Sequence, residues 1–119
     1  MEKLTQSDLD QFTCTEKYYA YNLFDNEVSL TDGVKFLAEK CACYWLLDAI
    51  LSWQIYPRMK AEEFQVWKLK RQIDDSWLLT AEDGNGKKLA SQDIPYSDFP
   101  LNEVSIWLVG WVMLLPSEY

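Results

Sequence analysis

The chain has 119 residues, 49% of them apolar, with only 4 Gly and 4 Pro. That is enough for one domain to close a hydrophobic core without disulfides or a metal. Its 19 acidic and 11 basic residues leave a formal net charge of −8, and it contains no histidine. The charge argues against direct nucleic acid binding and against anionic membrane surfaces, since both require cationic groups. The missing histidine removes the usual general base, the usual metal ligand and any Ser/His or Cys/His catalytic pair.

The first predicted element is a short helix over 6–12. Thr5 is placed to cap it, Asp8 fills the acidic third position, and Leu4 and Leu9 can act as a hydrophobic staple. Residues 17–24 are aromatic and strand-prone, and Asp25-Asn26 ends them as a turn. Thr31 then caps the main helix, with Asp32 at the positive end of its dipole. At about 100° per residue, Val34, Leu37, Cys41, Tyr44, Asp48 and Leu51 share one stripe. Leu46, Ile50 and Trp53 lie opposite, so residues 42–54 are apolar nearly all round until Pro57 stops the helix. Such a segment is enclosed by its own domain or packed against a second chain, and Leu46, Ile50 and Trp53 are the candidate interface of a homo-oligomer.

From residue 63 the period changes to that of strands, predicted at 63–71 and 76–82 with Asp74-Asp75 as the turn between them. Asp83-Gly84-Asn85-Gly86 is a strong hairpin signal leading into a strand at 87–91. Pro95 and Pro100 make 94–100 a rigid crossing loop. Residues 103–109 and 111–115 read as two strands about Gly110, apolar on both faces and so central in the sheet. The expected fold is α+β: an antiparallel sheet of four to six strands, with a long central helix and a short N-terminal helix packed on one face.

Asp48 stands inside the apolar stretch 43–51, where a carboxylate must be paired, protonated or used. It could form an acid/base pair with Asp98 or Glu103. The structural alternative is that it accepts hydrogen bonds from backbone N–H groups, an indole or a tyrosine hydroxyl, and thereby fixes how the helix meets the sheet. Cys41 and Cys43, two apart on one predicted helix, point to different sides and cannot bridge each other. With Cys14 they make an odd set of three, without a basic neighbour that would activate a thiol. No metal ligand set, phosphate-binding glycine pattern or cofactor motif is visible, and no catalytic residue is assigned.

Residues 1–32 carry seven carboxylates against two lysines. Asp25, Glu27 and Asp32 are the candidate acidic surface for a basic protein partner. The absence of a secretory pattern at the start points to a cytoplasmic location. The apolar run 106–115 falls short of the roughly 20 residues a membrane helix needs. The final residues 114–119 are expected to dock back on the domain, and could instead be captured by a partner.

Taken together, Thr31-Asp32-Gly33-Val34, Tyr44-Trp45-Leu46-Leu47-Asp48-Ala49-Ile50, Val66-Trp67-Lys68-Leu69, Asp98-Phe99-Pro100-Leu101 and Leu115-Pro116-Ser117-Glu118-Tyr119 resemble a small bacterial family of unknown function over residues 30–119. The resemblance implies a single-domain cytoplasmic protein of the kind also carried on mobile elements. It implies no activity, cofactor or site residue. The expected function is that of a non-enzymatic acidic interaction or regulatory protein, an inhibitor or adaptor for a basic protein surface. The alternative is a small carboxylate-dependent enzyme or ligand-binding domain with Asp48 in an aromatic pocket.

Overall fold

The computed structural model describes residues 4–23 and 25–119. Phe24, which ends the predicted aromatic strand, and Glu2 and Lys3 of the acidic N-terminal third lie outside the described residues.

Helix α1 (Gln6–Asp10) starts as its residues dictate. Asp8 N donates to Thr5 Oγ1 at 3.2 Å and Thr5 N to Asp8 Oδ2 at 2.9 Å, while Leu4 and Leu9 are both buried. Strands β1 (Tyr19–Leu23) and β2 (Asn26–Leu30) form an antiparallel hairpin. β2 was not expected: it fits between the Asp25 turn and the Thr31 cap, burying Asn26, Val28 and Leu30 in strand alternation.

The long central helix is two helices, α2 (Asp32–Lys40) and α3 (Tyr44–Ser52). Ala42 takes φ 50°, Ala42 N donates to Glu39 O at 3.3 Å and Cys43 N to Ala38 O at 2.9 Å. This is a Schellman stop, built without the glycine that usually announces one. After α3 come a 3-10 turn (Trp53–Ile55) and α4 (Pro57–Lys60), so Pro57 opens a helix as its first residue rather than ending one.

The remaining strands are β3 (Phe64–Arg71), β4 (Trp77–Glu82), β5 (Lys88–Ile94), β6 (Glu103–Val109) and β7 (Val112–Leu114), followed by a 3-10 turn (Pro116–Glu118). The fold is α+β, with one seven-stranded sheet in the order β1-β2-β7-β6-β3-β4-β5. The expectation of four to six antiparallel strands is corrected on two points. β2 adds a strand, and it pairs parallel to β7 through Ser29↔Val112 and Leu30↔Met113. β6 and β7 are interior strands, as their two apolar faces require.

One sheet face carries Trp67, Leu69, Leu79, Ile106 and Met113, all at most 1% exposed, under the helices. Leu46 and Ile50 are 1% and 0% exposed in that same core, and Trp53 packs half-buried with its ring 6.5 Å from Trp67. Leu46 and Ile50 are thus enclosed by their own domain and offer no surface to a second chain, while Trp53 stays partly open. Each large side chain so buried stabilises the domain by about 1.5–3 kcal/mol. Among the described residues no helix is long and apolar enough to cross a membrane.

Candidate functional site

Asp48 lies on α3, half-buried, and its Oδ1 accepts a 2.5 Å hydrogen bond from the Tyr21 hydroxyl of β1. The Tyr21 ring stacks on Tyr44, one helical turn before Asp48, with centroids 5.5 Å apart. Burial, and then the bond to the Asp48 carboxylate, push the Tyr21 phenol above its usual range. The arrangement ties α3 to the first strand. Asp48 also faces an open cleft of about 470 Å³ shared with Trp45, Ser52, Gln92 and Asp93.

The tyrosine hydroxyl is one of the expected structural partners of Asp48, whereas the carboxylates considered for an acid/base pair are elsewhere. Asp98 is exposed in the loop before β6, with the Cys41 and Cys43 thiols as its electrostatic neighbours. Glu103 is exposed at the start of β6, beside Gln6 and Asp10 of α1. Asp93, which the sequence reading passed over, is the carboxylate that shares the Asp48 cleft.

Because the helix breaks at Ala42, Cys41 and Cys43 do not share one regular helix, and the Cys43 thiol donates to Leu37 O at 3.5 Å. Burial is the main cause that pushes both thiols up, Cys43 to about 12. They therefore stay protonated and unreactive at neutral pH. Among the described residues no group of three His, Cys, Asp or Glu side chains is placed to hold a metal ion.

Of the predicted acidic surface, Asp25 is exposed in the β1–β2 turn and Glu27 is exposed on β2. Asp32 has a different role. Its Oδ2 accepts from Glu16 N at 2.9 Å while its own N–H donates to Thr15 Oγ1 at 2.8 Å, stapling the N-terminal segment to α2. The Glu16 N–H is the main cause that holds this carboxyl below its ordinary range.

Thr31 caps α2 as expected, accepting from Val34 N at 3.3 Å. The same hydroxyl donates to Glu118 Oε1 at 2.6 Å, and Glu118 also accepts from Gly33 N at 3.2 Å and Leu115 N at 3.0 Å. A negative group at a helix N-terminus is favoured by the orphan N–H groups and the dipole. The Tyr119 ring packs edge-on against Trp107 and Phe64 at 5.1 and 5.7 Å, so residues 115–119 dock on the domain.

Two features escaped the sequence reading. Gln54 and Gln65, each 1% exposed, exchange a reciprocal pair of amide hydrogen bonds at 2.9 and 3.0 Å. The pair also accepts from Trp67 Nε1 and donates to the carbonyls of Ile50 and Met59. Their signal was two glutamines inside otherwise apolar segments. The second feature is the β6–β7 turn, where Gly110 and Trp111 take φ 55° and 65°. Left-handed backbone is natural for glycine and strained for tryptophan. The Trp111 indole stays 37% exposed with Lys60 Nζ 5.6 Å from its centroid. Trp111 lines a pocket with Glu62 and Glu63, and this pocket shares Gln54 and Lys60 with a second one lined by Asp25, Asn26 and Ile55.

A model of a family of unknown function, DUF6876, matches residues 3–119. The chain belongs to that family. Comparison with curated proteins and with solved structures found no match. The DUF6876 match also takes in residues 3–29, ahead of the segments that carried the resemblance. Two of the segments that carried the resemblance, 31–34 and 115–119, meet where Glu118 closes the start of α2.

Proposed function

We propose that the protein is a non-enzymatic binding module that engages a basic protein surface with the end of the sheet where the β1–β2 and β6–β7 turns meet α4. The observation that carries this reading is Trp111. A bulky residue held in left-handed backbone costs about 1–3 kcal/mol, and such strain concentrates at ligand-contacting positions. Here it holds the Trp111 side chain partly at the surface, and Ile55 in the adjoining pocket is 56% exposed. Exposed tryptophan at the centre of a patch is the residue type that dominates protein interfaces.

Charge supports the class of partner. The Trp111 pocket and the pocket that shares Gln54 and Lys60 with it are lined by Asp25, Glu62 and Glu63 against Lys60 alone, in a chain of net charge −8. A partner offering lysine or arginine around an apolar anchor meets complementary potential there. The rigid Gln54–Gln65 pair under the pockets keeps the surface preformed. In a bacterial or mobile-element setting such a module acts as an inhibitor or adaptor of a basic protein.

The test is recovery of partners from a host lysate by the wild-type protein and by an Asp25→Asn, Glu62→Gln, Glu63→Gln variant, over a range of salt. Salt-sensitive recovery that the variant loses supports the reading. Recovery that is indifferent to both salt and substitution removes it.

A second reading, a ligand site at Asp48, is favoured by the cleft that Asp48 shares with Asp93. It is weakened by the commitment of the Asp48 carboxylate to Tyr21.

A further inference from the structure

On the other side of α4 the chain reverses its overall charge. A cavity of about 480 Å³ is bounded by Trp53, Tyr56, Arg58 and Glu62 on one side and by Lys87 and Lys88 of the β4–β5 hairpin on the other. Its volume lies within the range of small-molecule sites. Among the described residues the one ion pair is Lys35 with Glu39, so the charged ends of Arg58, Lys87 and Lys88 form no ion pair, although Asp83 lies next to Lys87. Glu62 is the single acidic group in the lining. Three cationic residues outside any ion pair border one hollow of a chain with net charge −8, which suits an anion.

The aromatic wall sets the rest of the ligand. Trp53 is fixed by donation from Nε1 to Gln92 Oε1 at 2.9 Å and by packing on Trp67. Tyr56, 54% exposed, lies beside it with ring centroids 5.6 Å apart. The position of Lys87 is set by its backbone N–H, which donates to Asp83 Oδ1 at 3.1 Å. Partly open rings next to a guanidinium and two ammonium groups suit a planar ring joined to phosphate: the ring stacks, and Arg58 and the lysines take the phosphoryl oxygens. A long nucleic-acid strand is disfavoured, because it would pass beyond the pocket into the acidic remainder of the surface. Screening over about 8 Å at physiological salt leaves a small anion governed by the local cations instead.

We propose that this cavity binds a nucleoside diphosphate or a molecule of the same chemistry, with the base against Trp53 and Tyr56 and the phosphates on Arg58, Lys87 and Lys88. It shares Glu62 with the Trp111 pocket, but none of Trp53, Tyr56, Arg58, Lys87 and Lys88 lines that pocket, so neither proposal rests on the other. The experiment is calorimetric titration of the whole chain with adenosine diphosphate, uridine diphosphate, adenosine and pyrophosphate at about 0.15 M salt. The wild type is compared with an Arg58→Gln, Lys88→Gln variant and with Tyr56→Ala, all three residues being exposed and their replacements compatible with folding. The expected result is binding of at least one diphosphate nucleoside at one site, weakened about tenfold or more in the double variant and several-fold in Tyr56→Ala. Adenosine and pyrophosphate alone should each bind at least about tenfold more weakly than that nucleotide, since each keeps half of the contacts. No binding of either nucleotide up to about 5 mM, equal affinity for pyrophosphate, or an unchanged double variant would each overturn the proposal.

Discussion

Glu118 Oε1 lies 2.6 Å from Thr31 Oγ1, so a carboxylate 87 residues downstream closes the N-terminus of α2. A Cβ built on Gly33 would lie 2.6 Å from Glu118 Oε1 and 2.7 Å from Leu115 Cδ1, which leaves glycine as the residue that fits under the clamp. Gly33→Ala should therefore destabilise the domain by about 1–3 kcal/mol through overpacking. Glu118→Ala should cost a similar amount, about 1–3 kcal/mol, by leaving helix donors unpaired. Urea unfolding measures both, and the double variant should cost less than the sum, because the two substitutions remove one interaction.

The Tyr21–Asp48 bond gives a prediction in alkaline solution. The Tyr21 phenol is raised above its ordinary value of 10.0 in the folded chain. Above that pH the unfolded chain releases a proton that the folded chain retains, so stability falls as pH rises. The Tyr21 contribution is fully present below pH 10 and is lost towards the higher folded value. In Tyr21→Phe this part of the alkaline decline should disappear, which thermal melts between neutral and strongly alkaline pH will show. Asp48→Asn, which keeps an acceptor oxygen, should be the milder change at neutral pH.

The helix break predicts a stabilising substitution. Ala42 sits at φ 50°, where an L-residue pays about 1–2 kcal/mol. Glycine removes that strain and returns about 0.5–1 kcal/mol through the freer unfolded chain. Ala42→Gly should leave a net gain of about 0.5–1 kcal/mol, seen as a higher denaturant midpoint at unchanged slope.

What the residues disclosed in advance was local. Thr5 with Asp8, the Asp83–Gly86 turn, and the Thr31 cap each act within a few positions, and each stands where its chemistry placed it. The helix stop at Ala42 was hidden because no Gly or Pro marks it. β2 was hidden because five residues between a turn and a cap carry little periodicity. The partner of Asp48 was a matter of topology: Tyr21 is 27 residues away, on a strand whose place beside α3 no local pattern specifies. The same holds for Glu118 and for the Gln54–Gln65 pair, whose meeting depends on the 3-10 turn after α3 lying against the start of β3.

That amide pair should be costly to break. Gln65→Leu leaves the Gln54 amide and the Trp67 indole N–H buried without their acceptor, for a loss of about 2–4 kcal/mol. The indole environment reports the change directly, since Trp67 is 1% exposed and donates to Gln65. Near-ultraviolet circular dichroism of the variant should differ from the wild type even where the chain remains folded.

The most direct measurement replaces Trp111 by glycine and follows stability and partner recovery together. Relief of the left-handed strain should leave the variant at least as stable as the wild type, while salt-sensitive recovery of a basic partner is lost. A Trp111→Gly protein that recovers the same partner undiminished would contradict the account.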